Sequence, residues 1–334
     1  MKYSIIIPTF NSRKWIRSCL DSVFAQTYKD FDIIILDSGS TDETLSYIAS
    51  LNDTRVKIYT TDKRLNIEEN WSRIKNIPRS EFMSILGHDD ILYPDFLETI
   101  NQLIVAHPQA TVYHTHYNFI DAKGEIVRKC ASMKSGYDDA ALLSAFLTAD
   151  IEMMATGYVV RSADYDRVGG VPAFPGLLYA DFALWLALTK NSLFVVAPKT
   201  SFAFRIHQTV TSTSADQKIQ TGFKLLLAFL RGYTESSSSL NEIKQKHGPV
   251  FLERYIKSHA HRLLRTRLQN RQNSTVRKFI INAKIEYAYL LGLSSPLHPE
   301  KKWSVKIAIF IDDFSITRNL FMLFRKSIKK PLVK

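Results

Sequence analysis

The first hundred residues alternate short apolar runs with stretches of helical periodicity. The apolar runs lie at Lys2–Ile7, Phe31–Leu36, Arg55–Tyr59 and Phe82–Leu86, and each predicts a strand. The β-branched run Lys2–Ile7 predicts a buried strand, and the mostly apolar Phe31–Leu36 is typical of a parallel strand buried on both faces. Between the first two runs, the apolar positions of Trp15–Phe24 recur every three or four residues, which predicts an amphipathic helix. Strands that alternate with helices predict an α/β fold with a doubly wound, Rossmann-like mixed sheet and right-handed crossovers.

Two further helices are predicted between the later strands. Ser40 and Glu43 have the spacing of a capping box, in which each residue satisfies a backbone N–H near the start of a helix. A helix is therefore expected to begin there. The stretch Asn66–Asn76 is also predicted to be helical, ahead of the fourth strand.

The fourth strand is followed by two adjacent carboxylates, Asp89 and Asp90, and Pro94 then opens a helix. Open α/β sheets bind ligands at the carboxyl ends of their strands. Two adjacent like charges are costly unless they share a cation, and oxygen ligands suit Mg2+ or Mn2+ bound to a diphosphate. Both carboxylates are expected to face solvent. The alternative is an acidic pair that caps the next helix.

A second candidate site follows the second strand. Asp37 is expected to be exposed there, beside Thr9 and Asn11, where a carboxylate can accept a hydrogen bond from a base imide or a ribose hydroxyl. The alternative is a turn residue, because Asp-Ser-Gly-Ser favours turns. The chain has neither a Gly-x-Gly-x-x-Gly after its first strand nor a Walker A motif, which argues against a dinucleotide-binding fold and an ATPase.

The charge of the chain is unevenly distributed. Its 334 residues are enough for about two domains, and the formal net charge is +12. Residues 215–334 carry 23 Lys+Arg against 8 Asp+Glu, whereas the rest is slightly acidic. We expect a catalytic domain at 1–215 and a basic, mostly helical region at 216–334, which indicates an anionic partner surface.

The basic region supports two interpretations. The stretch Trp303–Phe324 is apolar and aromatic, and four Lys and Arg residues follow it closely, as in an amphipathic helix that lies on an anionic membrane surface. The alternative is a helical subdomain with a solvated basic face. No nucleic-acid-binding module is recognisable, so nucleic acid is not an expected partner.

The remaining features of the sequence bear on localisation. No apolar run of about 20 residues indicates a spanning helix, and the start of the chain does not resemble a signal peptide. Cys19 and Cys130 lack the spacing of a metal or redox pair, and we expect both to be reduced. The expected location is cytoplasmic, or peripheral on the inner face of the cytoplasmic membrane if the tail binds lipid.

Four blocks along residues 1–100 together resemble a known family. Ser4–Asn11, Asp32–Asp42, Asn70–Arg73 and His88–Pro94 are similar in order and spacing to the inverting family-2 glycosyltransferases of GT-A fold, in the nucleotide-diphospho-sugar transferase superfamily. The sequence departs from the common Asp-x-Asp-Asp form, because Gly87 occupies the position of the first carboxylate.

The resemblance implies a nucleoside-diphosphate-sugar donor and a bound Mn2+ or Mg2+. The position of Asp37 binds the nucleotide base in that family, and the acidic pair holds the metal on the diphosphate. The residues predicted to bind the donor are Pro8, Thr9, Asn11, Asp37, Ser38, Asn70, Arg73, His88 and Asp89. The predicted metal ligands are Asp89, Asp90 and His207.

A later block resembles the family's Glu-Asp-x-x-Leu-Trp segment, whose Asp is the general base. Here Asp181 stands alone, because Ala180 replaces the Glu, and Leu184, Trp185 and Leu188 are expected in the core. The resemblance implies that Asp181 deprotonates the acceptor hydroxyl and that the reaction inverts the anomeric carbon. The alternative is an acidic residue that compensates the dipole of a helix.

Two histidine-containing segments complete the candidate chemistry. His114 and His116 would point to one face of a strand, and since no further ligand is spaced to help them, we interpret both as structural. Phe202–Ser212 resembles the family's Arg-Ile-His segment, in which Arg205 and His207 would face the diphosphate or the metal.

These features together predict a metal-dependent, inverting glycosyltransferase. Its acceptor would be a hydroxyl of a growing cell-surface glycan, such as a lipopolysaccharide, capsule or exopolysaccharide, free or linked to a lipid. Two alternatives remain open: a non-catalytic nucleotide-sugar-binding protein, and a nucleotidyltransferase. The latter would need a glycine-rich basic loop after the first strand, and Pro8–Asn11 is not one.

Overall fold

The structure is a computed structural model that describes residues 2–152, 154–206, 215–271 and 274–327. These residues form two compact units. The first comprises the described residues of Met1–Leu142 and Ala149–Thr213, and the second those of Leu143–Thr148 and Ser214–Lys334.

One mixed sheet forms the centre of the first unit, with the strand order β3-β2-β1-β4-β9-β6-β10-β5, while β7 pairs with β6 and β8 with β10. The strands are β1 Tyr3–Thr9, β2 Phe31–Asp37, β3 Val56–Tyr59, β4 Phe82–Ile85, β5 Ile91–Leu92, β6 Val112–Ile120, β7 Ile126–Lys129, β8 Gly136–Tyr137, β9 Tyr158–Arg161 and β10 Phe194–Arg205.

The strand directions place several carboxyl ends at one edge of this sheet. Strands β2, β1 and β4 are parallel neighbours, and Ile5 lies between Ile33 and Ser84. Strand β9 runs antiparallel to both β4 and β6, so β6 has the direction of β4, and β10 is parallel to β6. The segments that follow β1, β2, β4, β6 and β10 therefore share one edge, where sheets of this class bind ligands.

Helices connect the strands of the first unit and make up most of the second. The helices are α1 Arg13–Phe24, α2 Thr44–Ser50, α3 Ile67–Ser72, α4 Phe96–Ala106, α5 Asp139–Thr148, α6 Ser162–Arg167, α7 Ala180–Thr189, α8 Asp216–Glu235, α9 Ser238–Leu264, α10 Val276–Leu291, α11 Trp303–Asp313 and α12 Ser315–Ser327. Short 3₁₀ turns lie at Arg73–Asn76, Pro175–Leu177, Leu268–Arg271 and Pro299–Lys301.

The predicted α/β class, with its mixed sheet and C-terminal helical extension, is confirmed, but the predicted capping box is wrong. Ser40 and Glu43 do not form a capping box, because α2 begins at Thr44 without a side-chain cap and the Ser40 hydroxyl instead donates to Asp37. The capping box of the region lies at Asn66 and Glu69. The helix predicted over Asn66–Asn76 tightens into a 3₁₀ turn after Ser72.

Aromatic side chains fill the core of the first unit beside β6 and α7. Trp185 is fully buried and stacks on Phe194, and its edge meets His114 and Tyr158. The predicted core positions Leu184, Trp185 and Leu188 are confirmed by their burial.

The two strand histidines have structural contacts, as predicted. Burial among aromatic rings lowers the pKa of His114 to about 4. The imidazole of His116 bonds the Ala197 carbonyl through Nδ1 and accepts the Met133 N–H at Nε2. Both imidazoles are therefore engaged by the surrounding protein.

The second unit is a bundle built on α8–α12 and the end of α5. Phe251 packs on Phe146 and Phe223, and a buried ion pair joins Arg271 to Asp312 at 2.5 Å. The Asp312 carboxylate also accepts the Val276 N–H that opens α10. Asp312 is thus the link between two helices of this bundle.

The last two helices of the second unit expose large apolar side chains. Trp303 is 75% exposed and Leu320 is 61% exposed. The other members of this apolar face are Ile307, Phe310, Phe314, Ile316, Leu323 and Phe324. Among the described residues, no helix has the length and apolarity to cross a bilayer.

Candidate active site

The acidic pair lies in a tight turn directly after β4. The Asp90 N–H donates to the Gly87 carbonyl at 3.0 Å, which folds residues 87–90 back on themselves. His88 and Asp89 are partly exposed in this turn, whereas Asp90 is only 1% exposed. The two carboxylates therefore face different environments.

The Asp90 carboxylate is buried and accepts hydrogen bonds from other parts of the protein. Its Oδ2 accepts the Thr156 hydroxyl at 2.6 Å, and its Oδ1 accepts the Arg205 N–H at 2.9 Å. The expectation that both carboxylates face solvent is wrong, because these donors from β10 and from the segment before β9 hold Asp90 inside. Asp90 joins the turn after β4 to two distant segments.

Arg205 anchors the same turn from the end of β10. Its Nε donates to the Asp89 carbonyl at 2.7 Å, and its Nη1 donates to the Asp121 carbonyl at 2.8 Å. The guanidinium also lies 4.4 Å from the centre of the Trp15 ring, and the residue is 4% exposed. Arg205 thus holds the Asp89 backbone in place, and its contact with a diphosphate stays a prediction.

The electrostatics of the turn follow from burial and from the adjacent charges. Burial, and after it the Asp89 charge, raises the pKa of Asp90. Burial and the charges of both aspartates raise the pKa of the Cys19 thiol, whose Sγ contacts the Gly87 carbonyl at 3.5 Å. Cys19 and Cys130 are both free thiols.

Gly87 leaves room for the two carboxylates. A Cβ added there would lie 2.6 Å from Asp90 Oδ2 and 2.9 Å from Asp89 Oδ1. Both oxygens thus pack against the Gly87 backbone at a distance that no side chain allows. An aspartate at position 87, which the common Asp-x-Asp-Asp motif would have, does not fit beside the Asp89 and Asp90 carboxylates as they are placed here.

Among the described residues, Asp89 is the carboxylate best placed to hold a divalent cation. No cluster of three His, Cys, Asp or Glu side chains occurs in the part of the chain that the structure describes, and both oxygens of Asp90 already accept hydrogen bonds. Asp89 is the carboxylate on the open side of the turn. The residues fit a cation held by Asp89 and completed by ligand phosphates, which is how proteins commonly bind Mg2+, rather than a cage of protein ligands. His207 lies outside the described residues.

Asp37 ends β2 in a nest of hydrogen-bond donors. The Gly39 and Ser40 N–H groups both donate to Oδ2 at 2.9 Å, and the hydroxyls of Ser40, Thr9 and Thr60 also donate to the carboxylate. Asp37 is fully buried, so the expectation of an exposed carboxylate is wrong. Five donors fix it as the anchor of the loop after β2.

The other residues predicted to bind the donor lie around this loop. Asn11 is exposed, and its Oδ1 accepts the Thr41 N–H at 2.8 Å. Asn70 donates to the Leu36 carbonyl, and Arg73 donates to the carbonyls of Asp37 and Tyr59. Pro8, Thr9 and Ser38 are buried at the adjoining strand ends. The structure thus groups these residues, and most of their polar atoms order the loop.

Asp181 lies in the first turn of α7, after Tyr179, which has the left-handed φ of 67°. Its Oδ1 accepts the Phe182 N–H at 3.0 Å. Burial raises the pKa of Asp181 to about 6. The Asp181 charge also contributes, after burial and Tyr165, to the raised pKa of Tyr158, which pairs with Ile85 at the end of β4.

Two residues of the site were not assigned from the sequence as partners of the acidic pair. Thr156 lies in a segment of small residues, and its polarity alone does not indicate which residue it contacts. Trp15 has the spacing of an ordinary core position of α1. Gly157, which has a φ of +78°, follows Thr156, and a Cβ there would clash with the Phe202 ring. This glycine allows the segment to approach the sheet closely enough for Thr156 to reach Asp90.

Comparison with known proteins shows which family this chain resembles. Residues 4–155 match the sequence profile described as Glycosyl transferase family 2. An uncharacterized glycosyltransferase of Rickettsia prowazekii is 28% identical over 235 residues, which are 70% of this chain and 72% of that protein. A second relative, from Methanococcus voltae, is 41% identical over 101 residues, or 28% of this chain and 31% of that protein. It is named dolichyl N-acetyl-alpha-D-glucosaminyl phosphate 3-beta-D-2,3-diacetamido-2,3-dideoxy-beta-D-glucuronosyltransferase.

The fold also matches a solved structure. Residues 1–349 of TarS from S. aureus, crystallised in complex with UDP-GlcNAc, align with a TM-score of 0.61 at 15% identity, covering 88% of this chain and 93% of TarS 1–349. The mixed sheet, with an acidic turn at the edge where its parallel strands end, therefore has the fold of TarS. Over residues 4–155, the chain is similar to glycosyltransferase family 2.

The different environments of the acidic pair predict different effects on stability. Asp90→Ala leaves the Arg205 N–H and the Thr156 hydroxyl without an acceptor, which costs about 1–3 kcal/mol for each buried donor. Asp89→Ala removes a partly exposed group and should change the free energy of unfolding by about 1 kcal/mol or less. Urea unfolding of the full chain measures both. Equal losses in the two variants would contradict the structural assignment of Asp90.

Proposed function

We propose that this glycosyltransferase moves a sugar from a nucleoside-diphosphate sugar to an acceptor hydroxyl with inversion at the anomeric carbon. The observation that carries the proposal is the alignment of the β1, β2 and β4 carboxyl ends. It brings the predicted donor-binding loop beside the turn that contains Asp89. TarS, which shares the fold, was crystallised with UDP-GlcNAc and with UDP, which supports a nucleotide donor here.

The described contacts support a division of roles within the donor site. Because Asp37, Asn70 and Arg73 satisfy one another and nearby carbonyls, they would hold the shape of a groove for the nucleotide. Asn11 and His88 have exposed surface at that edge and would contact the donor directly. The base would therefore meet loop backbone and exposed side chains rather than the buried Asp37 carboxylate.

Asp89 would hold a Mn2+ or Mg2+ ion together with the phosphates of the donor. When bound, such a cation balances the negative charge that develops on a departing diphosphate. Three residues would position Asp89 without contacting the cation: Asp90, Arg205 and Thr156 hold the turn and thereby orient the Asp89 side chain. This arrangement needs only one carboxylate ligand.

Asp181 would be the general base that takes the proton from the acceptor hydroxyl. A base is most effective when its pKa lies near the working pH, and the raised pKa of about 6 keeps this carboxylate mostly ionised at neutral pH while leaving it able to accept a proton. The acceptor oxygen would then attack the anomeric carbon opposite the leaving diphosphate, which inverts the configuration.

Two alternatives predict different behaviour. A nucleotide-sugar-binding protein without activity would bind donor and never release nucleoside diphosphate from it. A nucleotidyltransferase would need positively charged groups around the donor phosphates after β1. The loop between β1 and α1, Phe10–Ser12, has no basic side chain and no glycine. The raised pKa of Asp181 and its position at a helix start favour the transferase.

The acceptor would be a growing cell-surface polysaccharide, in solution or attached to a lipid at the inner face of the cytoplasmic membrane. The relative from Methanococcus voltae is named for a dolichyl-phosphate-linked sugar acceptor, which supports a lipid-linked glycan. The apolar face of α11 and α12 supports membrane contact. The two acidic residues of α11 are neutralised by ion pairs, since Asp312 pairs with Arg271 and Asp313 pairs with Arg277.

A bilayer suits this face better than a second copy of the chain. Residues 215–334 carry a large excess of positive charge, with 23 basic and 8 acidic residues, and two copies would repel each other. An anionic bilayer attracts the same charge, at about 1 kcal/mol for each Lys or Arg near the surface, and also takes up the exposed rings of Trp303 and Phe310. We therefore propose an anionic lipid surface as its partner.

Replacement of the proposed base should separate catalysis from binding. Asp181→Asn keeps the shape of the side chain but cannot accept the proton, so sugar transfer should fall by about 10²–10⁴-fold while donor affinity is kept. In the wild type, the transfer rate should decline as the pH falls through about 6, because Asp181 becomes protonated there. Nucleoside diphosphate release, followed across pH at saturating donor, measures both effects.

The same assay has a matched control in Asp138→Asn, which changes an exposed carboxylate at the start of another helix, α5. This variant should behave as the wild type. Near-normal transfer by Asp181→Asn would move the base to another residue, and donor binding without any turnover in the wild type would favour the non-catalytic alternative.

The membrane proposal predicts two components of lipid binding. Vesicles with anionic lipid should sediment the full chain, and high salt should weaken this binding without abolishing it, because apolar insertion is insensitive to screening. A Trp303→Ser, Leu320→Ser double variant should lose the salt-resistant part. The control Ile285→Ser removes an equally exposed apolar residue from α10 and should bind normally. Failure of the wild type to bind anionic vesicles at low salt would overturn the proposal.

A further inference from the structure

A polar pocket lies within the second unit, away from its apolar face. Its cavity of about 510 Å³ is enclosed by the end of α8, the first turns of α9 and the turn that ends α10. Arg231, Ser237, Asn241, Lys244, Gln245 and Gly292 are among its lining residues. We call it the α9 pocket.

Lys244 is the unusual member of this pocket. The residue is only 3% exposed, yet it makes no hydrogen bond or ion pair with any other residue that the structure describes. The charges that act on it belong to Glu235 and Arg231, which line the same pocket, so its ammonium is directed into the cavity. Most of the side chain is buried, whereas the ammonium reaches the solvent of the cavity and has no anionic partner there. An anion in the cavity would offset the cost of its partial desolvation.

The start of α9 adds a second source of positive potential. This helix is 27 residues long, and Ser237 caps it by accepting the Leu240 N–H. The N–H groups of a first helical turn carry partial positive charge and bind anions. Asn241 and Lys244 follow Ser237 by four and seven residues, so all three lie on one face of the helix.

The remaining walls are ordered independently of any ligand. Gln245 donates to the Gly292 carbonyl at 2.7 Å and accepts the Ser294 N–H at 3.0 Å. Gly292, with a φ of +68°, ends α10 in the left-handed conformation that favours glycine. The pocket is therefore preformed around Lys244.

One carboxylate, Glu235, competes for the positive charge. It pairs with Arg231 at 2.8 Å, and both side chains are largely exposed, at 57% and 43%. Exposed pairs of this kind contribute little to stability, so Arg231 can turn toward a ligand at small cost. The pocket then offers an ammonium, a guanidinium, a helix start and hydroxyl and amide donors.

We infer that the α9 pocket binds a phosphate group. A tetrahedral oxyanion has enough acceptor oxygens to engage these donors at once, and the cavity is larger than the ion, so the phosphate can belong to a larger molecule. The inference goes beyond the proposed transfer reaction, because it uses none of the residues assigned to the donor or to the base. The phosphate could come from a soluble phosphoester or from a lipid headgroup.

Phosphate binding can be tested with matched variants of the full chain. Inorganic phosphate should raise the melting temperature of the wild type above that in chloride of equal ionic strength. Lys244→Met should abolish this increase and weaken phosphate affinity about tenfold or more by calorimetry. Lys246→Met removes an exposed charge two residues further along α9 and should leave the response intact.

The source of the phosphate is tested with two further ligands. Glycerol phosphate that stabilises the wild type but not Lys244→Met supports a soluble phosphoester, whereas a dependence on Lys244 seen only with phosphatidylglycerol vesicles supports a lipid headgroup. Lys244→Gln serves if the Met variant does not fold. An absent phosphate response in the wild type, or equal responses in the Lys244 and Lys246 variants, would overturn the inference.

Discussion

The buried carboxylate of Asp90 is the interaction on which the candidate active site depends. It accepts one hydrogen bond from Thr156 before β9 and one from the backbone of Arg205 at the end of β10, so three segments meet at a single side chain. Arg205 then binds the Asp89 carbonyl. Because a buried carboxylate is tolerated only when its oxygens are satisfied, the geometry of the turn is strongly constrained, and the partly exposed Asp89 is held in a defined place.

The same principle recurs at Asp37, which gathers five donors at the end of β2. In both loops, a buried acid orders the backbone and leaves the neighbouring residues to face the ligand. Asp181 differs, because burial raises its pKa and its carboxylate accepts a hydrogen bond from the adjacent Phe182 N–H. Two acids thus act as structural anchors, and Asp89 and Asp181 remain as candidates for chemistry.

The sequence was sufficient for the fold class, for strands β1–β4 and for helix α1, since apolar runs and helical periodicity are strong local signals. It missed the two-residue strand β5. It located the acidic pair but assigned the wrong exposure to Asp90 and Asp37. The donors to Asp90 lie 66 and 115 residues away along the chain, and local pattern cannot show such partners. The local sequence likewise does not reveal the burial of Asp312, because its partner Arg271 lies 41 residues earlier.

The most direct test of this account is cation-dependent donor binding at Asp89. Thermal stabilisation should be measured for a set of nucleoside-diphosphate sugars with and without Mn2+, on the wild type and on Asp89→Ala. The account predicts that at least one donor stabilises the wild type more strongly with Mn2+, and that Asp89→Ala loses this Mn2+-dependent part. Stabilisation that is unchanged in Asp89→Ala, or no response of the wild type to any donor, would contradict it.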